Sequence, residues 1–226
     1  MAAAAQRKPR ILYLHGLASS PASAKARFIA GRCHAAGLSL QCPDLNCGGF
    51  SDLSFSRMLA QTRALIRARP GPVVLIGSSL GGLLAAWCAE WEGQVQGLLL
   101  LAPAFDLLRH WLPLLPADRR QIWEGGGDLD IHHFATGSEQ RLHGFFREDT
   151  ALFCGSHQLQ RRLPTRIVHG RRDAVIHVEA SRSFRALRPW VHLLELEADH
   201  RLAGVSGAIW QEAQLLLRDL ASGPVG

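Results

Sequence analysis

The chain has 226 residues, 47% of them apolar and 19% charged, with a net charge of +6. That composition builds a large core and excludes a disordered or fibrous chain. The arginines are scattered, with pairs only at Arg119–Arg120, Arg161–Arg162 and Arg171–Arg172, which excludes a nucleic-acid-binding arm and leaves a mild preference for anionic ligands.

Apolar strand patterns alternate with helical ones along the chain. "RILYL" (10–14) reads as a strand ending at His15-Gly16, and "SAKARFIAGRCHAAG" (23–37) as a helix stopped by Gly37. A second strand, "LSLQC" (38–42), is cut by Pro43, and an amphipathic helix over 55–69 ends at Pro70-Gly71. "PVVLIG" (72–77) reads as a strand buried on both faces, followed by a helix over 80–91 and a strand over 95–102. Later come a strand at 165–170, a helix over about 177–187, a strand at 191–197 and a last helix over about 206–220.

This alternation predicts an α/β fold: one domain over 1–226, with a mostly parallel six-stranded sheet and helices on both faces. Residues 104–163 between the fourth and fifth strands are too long for a connecting loop and predict a cap-like insertion. Within it, "RQIWEGGGDLDIHH" reads as a hairpin. No repeat is present.

The five cysteines are at 33, 42, 47, 88 and 154. Cys42 and Cys47 lack a second pair at zinc-site spacing, so reduced, mostly buried thiols and a cytoplasmic protein are expected, with no metal. "MAAAAQRKPR" lacks the apolar core of a signal peptide, and its alanine-rich start is expected to fray. No stretch approaches the roughly 20 apolar residues of a membrane span.

The stretch "VVLIGSSLGG" (73–82) carries Gly77-x-Ser79-x-Gly81 between a strand and a helix. A sharp strand-to-helix turn strains its central residue, and residues two positions away must be small to avoid collision. Ser79 is then the exposed nucleophile and Ser78 the spacer, with a helix N-terminus beneath to favour developing negative charge. A phosphate-binding turn is the rival, but the loop holds no lysine.

A serine needs a base, and the base needs a group to orient it. Of the eleven histidines, His200 follows the last strand at its carboxyl end. His169 ends the fifth strand and is the other candidate, read instead as a packed, hydrogen-bonded residue, so His200 is the preferred base. Asp173, just beyond that strand, is the preferred acid. Asp106 after the fourth strand is the serious alternative, and Asp199 adjoins the base too closely in sequence. Backbone amides of Leu80 and Leu17 are expected to form the oxyanion hole, with Gly16 permitting close approach. That requires the first strand to lie beside the third. His15 reads as a brace for this loop.

The motifs "YLHG", "GSSLGG", "HGRRDAVIHVEAS" and "EADH", in this order, resemble the α/β-hydrolase superfamily over nearly the whole chain. "YLHGLASSPASAKA" with "GSSLGG" is most similar to compact YqiA/YcfP-like bacterial esterases. "GRRDAVIHVEAS…ADHRL" is similar to acyl-protein and acyl-glucuronide thioesterases and esterases. The resemblance implies a hydrolase with Ser79, Asp173 and His200 as triad, Leu17 and Leu80 as oxyanion donors, and no cofactor. The insertion is longer than in the most compact esterases, and the family's usual first two strands are missing, which implies a minimal version of the fold.

The expected reaction is cleavage of small or medium acyl or aryl carboxylic esters through an acyl-enzyme. Gly16, Phe105, Trp111 and Trp123 are expected at the substrate, with Phe134, Phe145 and Phe146 as further aromatics of the cap. The alternatives are a thioesterase or an acyl-protein or acyl-glucuronide hydrolase using the same residues, and a non-catalytic binding protein on a hydrolase fold. The expected partner is a small-molecule ester or thioester.

Overall fold

A computed structural model describes residues 8–46 and 48–222. The alanine-rich start, expected to fray, and Cys47 lie outside the described residues. The chain runs β1 (Arg10–Leu14), α1 (Ala24–Ala35), β2 (Leu40–Gln41), α2 (Phe55–Arg67), β3 (Val73–Ser78), α3 (Leu80–Trp91) and β4 (Val95–Leu101). Then follow α4 (Leu107–Trp111), α5 (Ala117–Glu124), β5 (Leu129–His133), β6 (Ser138–Leu142) and α6 (Phe145–Ala151). β7 (Thr165–Gly170), α7 (Glu179–Ala186), β8 (Val191–Leu196) and α8 (Ser206–Ala221) complete the fold.

Six strands form one sheet in the order β2-β1-β3-β4-β7-β8. Every pairing in it is parallel, so the expected "mostly parallel" sheet is wholly so. β1 pairs β2 on one side and β3 on the other, with Leu14 opposite Gly77. The strand order therefore reverses between β1 and β3, the kind of place where parallel sheets generally open a crevice at their carboxyl ends. Alternate side chains feed two cores. Leu12, Leu75, Leu100 and Ile167 face α2, α3 and the insertion, whereas Ile11, Val74, Leu99 and Val168 face α1 and α8. β3 is buried throughout, and α3 is buried from Leu80 to Ala89 because it is apolar all round.

Local chemistry sets the ends of the elements. Ser23 and Ser54 cap α1 and α2 by accepting from the amides of Ala26 and Arg57. The second strand is shorter than expected, because only Leu40 and Gln41 find partners on β1 at this sheet edge. The expected hairpin at 120–133 is also corrected. "RQIWE" belongs to α5, and the glycines stop that helix instead of turning a hairpin. Gly126 has φ 82°, its amide donates to the Trp123 carbonyl and that of Gly127 to Ile122, a left-handed helix stop. The hairpin is β5 with β6, antiparallel from Leu129↔Leu142 to His133↔Ser138.

The insertion is fastened to the body of the fold. Trp87 Nε1 donates to the Phe153 carbonyl (2.8 Å), Ser56 N–H to Asp149 Oδ2 (2.8 Å) and His143 N–H to the Ser51 carbonyl (3.1 Å). Trp123 is fully enclosed, edge-on to Trp111 with ring centroids 5.9 Å apart and beside Phe146 at 6.5 Å. Its indole N–H finds no acceptor among the described residues, so burying it carries a desolvation cost. Trp123→Ala is expected to cost about 3–5 kcal/mol. Trp123→Phe is expected to cost much less, because it also removes the orphan donor. Thermal unfolding checks both: equal Tm values for the two variants would refute this account.

Candidate active site

β3 ends in the turn that carries both serines. Ser78 is buried in the strand, while Ser79 is half-buried with φ 54° and ψ −119°. Such a conformation costs about 1–3 kcal/mol and persists only where the surroundings hold it. Here the Ser79 amide donates to the Leu101 carbonyl (2.9 Å), and the Ser79 carbonyl accepts from Gly82 (2.8 Å) and Ala104 (3.0 Å). Gly77 and Gly81 are glycine for steric reasons. A Cβ on Gly77 would overlap the Gly81 carbonyl, and one on Gly81 would overlap the carbonyls of Leu14 and His15.

His200 lies in the loop after β8, and Asp173 in the turn after β7. The Ser79 hydroxyl donates to His200 Nε2 at 2.9 Å, and His200 Nδ1–H donates to Asp173 Oδ2 at 2.7 Å. The three expected residues therefore meet, although 121 positions separate Ser79 from His200. Asp106 stands elsewhere. It precedes α4 in the left-handed region at φ 54° and makes no hydrogen bond to His200 among the described residues. Asp199 is exposed.

The Asp173 side chain is fully buried. Burial alone would raise its carboxyl, but hydrogen bonds from His169 and His200, the His200 charge and the Ile176 amide outweigh that effect. The group is held well below the usual carboxylate range. Its Oδ1 accepts from the amides of Val175 (2.9 Å) and Ile176 (2.8 Å), and its Oδ2 from His169 as well as His200. His169 is thus the packed, hydrogen-bonded residue that the sequence offered as one of two readings. The sequence did not reveal that its partner is the acid itself, four positions on in "HGRRD".

The β1 loop lies against the serine. A Cβ on Gly16 would come within 3.2 Å of the Ser79 Cβ and 3.8 Å of its Oγ. Leu17 follows at once, and neither its amide nor that of Leu80 has an acceptor among the described residues. The Leu80 amide opens α3 and that of Leu17 lies in the loop after β1; free backbone donors of this kind suit a developing oxyanion. His15 braces the loop. Its Nδ1–H donates to the Gly16 carbonyl (2.9 Å), and its Nε2 accepts from Leu45 N–H (3.0 Å). Burial pushes the His15 imidazole below its usual value and keeps it neutral, against the pull of Gly16 and Asp44.

The insertion reaches the same place. Phe134, at the tip of the β5–β6 hairpin, donates its N–H to the Ala18 carbonyl at 3.0 Å. Its ring lies under the Arg201 guanidinium, 5.3 Å from the ring centroid. The tip therefore joins the loop before α1 to the residue beside His200, and 64% of Phe134 stays exposed. Two residues expected at the substrate are enclosed in the core. Phe105 is fully buried and stacked on Phe184 with centroids 4.2 Å apart, and Trp123 is enclosed as described. Neither offers a free face, because the core closes over both. Trp111 is half-buried.

Cys33 and Cys88 are buried, Cys42 and Cys154 half-buried, all four as free thiols. Among the described residues no group of three or more His, Cys, Asp or Glu is arranged to hold a metal ion, and no helix is long and apolar enough to cross a membrane.

No curated protein matches the chain. Several solved structures do. Alpha/beta hydrolase domain-containing protein 10 from mouse is 22% identical with a TM-score of 0.76, over 96% of this chain and 90% of that one. Monoacylglycerol lipase from Paleococcus ferrophilus is 17% identical with a TM-score of 0.77, over 94% and 96%. Est1E from Butyrivibrio proteoclasticus is 17% identical with a TM-score of 0.75, over 96% and 90%. At such identities the likeness concerns the fold, which is that of the α/β-hydrolases. The model of one family matches residues 10–217, nearly the whole described chain, and the protein accordingly belongs to the uncharacterised protein family UPF0227.

Proposed function

We propose that this protein is a serine hydrolase that cleaves carboxylic esters with small to medium acyl or aryl groups through an acyl-enzyme. The observation that carries this reading is the continuous hydrogen-bonded line from Ser79 Oγ through His200 to Asp173, at 2.9 and 2.7 Å. As the ester carbonyl is attacked, His200 Nε2 takes the serine proton. Asp173 keeps the other ring proton on Nδ1 and stabilises the imidazolium. The tetrahedral oxyanion is met by the amides of Leu17 and Leu80. His200 then protonates the leaving alcohol and activates water to free the acid.

In this reading the whole chain is one hydrolase domain and the insertion is its cap, with the exposed Phe134 ring meeting the apolar part of the substrate. Support for an ester comes from proteins of similar fold: one is a monoacylglycerol lipase, and Est1E has been solved with ferulic acid bound. Thioesters would use the same machinery, and a panel of esters and thioesters of increasing chain length ranks the two.

Ser79→Ala is expected to lose about 10⁴-fold or more in hydrolysis of p-nitrophenyl esters and all labelling by a fluorophosphonate probe. Undiminished turnover would exclude Ser79 as nucleophile. Asp173→Asn is expected to lose about 10⁴-fold in kcat. The amides of Val175 and Ile176 would hold the Asn oxygen and turn its NH₂ towards His200, imposing the tautomer that cannot accept the serine proton. Asp106→Asn is expected to keep near-normal turnover, and the reverse ranking would reassign the acid. Phe134→Ala is expected to raise KM for medium-chain and aryl esters about tenfold while sparing acetate esters. An equal effect on all of them would remove Phe134 from the substrate site.

A further inference from the structure

The acid is gripped by a second histidine that the proposed reaction does not use. His169 is fully buried at the end of β7. Its Nε2 lies 3.1 Å from Asp173 Oδ2 and 2.9 Å from the Ile176 carbonyl. Both neighbours are acceptors, so Nε2 carries a proton. Its Nδ1 lies 2.7 Å from the hydroxyl of Ser181 on α7, which is also fully buried. The hydroxyl is free to donate, so a neutral ring satisfies every contact it makes. Asp173 Oδ2 thus receives two imidazole N–H groups, from His200 and from His169.

We propose that His169 is a positioning residue: as a neutral donor locked in one tautomer by Ser181, it aims the Asp173 carboxylate at His200 and limits how strongly that carboxylate attracts the His200 proton. The proposal rests on Asp173 and His200 being acid and base. The sign follows from charge. A donor on Oδ2 spreads part of the carboxylate charge. Without it, more charge faces His200, the imidazolium is favoured, and His200 gives up its proton at higher pH. A histidine that merely fills space would leave that proton equilibrium alone.

Other ionisable groups surround the pair. Lys25 on α1 feels the charges of Asp173 and Asp199, although burial draws its ammonium down to about 8. His110 on α4, stacked on His177 with centroids 5.4 Å apart, also feels Asp173 and Asp106. Arg172 is turned to the Glu197 carbonyl, and Arg201 to Phe134. Among the described residues only the two histidines bring a side-chain donor within hydrogen-bond distance of Asp173. The surrounding groups are unchanged in a His169 variant, so the difference between two titrations isolates His169.

The test is the titration of the His200 imidazole by NMR, together with the acid limb of kcat/KM, in the full chain and in His169→Leu, His169→Gln and Ser181→Ala. His169→Leu is expected to move the His200 midpoint and the acid limb up by about half to one pH unit. His169→Gln keeps an N–H within reach of Oδ2 and is expected to stay near the parent. Ser181→Ala unlocks the tautomer and is expected to give a smaller upward shift. An unmoved midpoint in both His169→Leu and Ser181→Ala, or equal behaviour of Leu and Gln, overturns the proposal. If His169→Leu does not fold, an unmoved midpoint in Ser181→Ala alone overturns it. The NMR midpoint needs no turnover. A parent protein inert to fluorophosphonate would therefore sink the hydrolase reading while leaving this test able to succeed or fail.

Discussion

Three backbone segments meet at Ser79 with no side chain between them. The end of β1, the end of β3 and the first turn of α3 approach so closely that a Cβ on Gly77 or Gly81 would overlap a neighbouring carbonyl, and one on Gly16 would come within 3.2 Å of the Ser79 Cβ. The contact holds the strained backbone of Ser79, whose hydroxyl reaches His200 Nε2 at 2.9 Å. A parallel sheet supplies these conditions only where its strand order reverses, which here is between β1 and β3.

The acid is organised on the opposite principle. Ser79 is held by the absence of side chains, and Asp173 by an excess of donors. A fully buried carboxylate is costly unless its lone pairs are filled, and Val175, Ile176, His169 and His200 fill them. The turn after β7 supplies two of these donors from its own backbone, as short acidic turns commonly do. The carboxylate is thereby held ionised and oriented by fixed donors.

The insertion belongs to the site more than its position in the chain implies. Its hairpin tip bonds to Ala18 on one wall and meets Arg201 on the other. Ala18 itself has φ 54°, so this bond also restrains a strained loop next to Leu17. The aromatic residues deeper in the insertion do different work. Phe105 and Trp123 join the same core as α2 and α3 and anchor the segment whose tip meets Ala18 and Arg201.

The order of elements, the parallel sheet and the turn around Ser79 were legible in the sequence, because each is a local demand. Apolar runs mark buried strands, serines cap helices, and glycines flank a bend that tolerates nothing larger. The sequence favoured Asp173 over Asp106, but the contact of Asp173 with His200, the grip of His169 on Asp173 and the reach of Phe134 to Ala18 are visible only in the tertiary structure. These contacts depend on how far each strand extends and how each loop turns. A one-residue pattern carries no record of a neighbour that arrives from another loop. The glycines of "WEGGGD" show the same limit within one segment: glycine announces a change of direction, but only the surrounding chain determines whether it ends a helix or turns a hairpin.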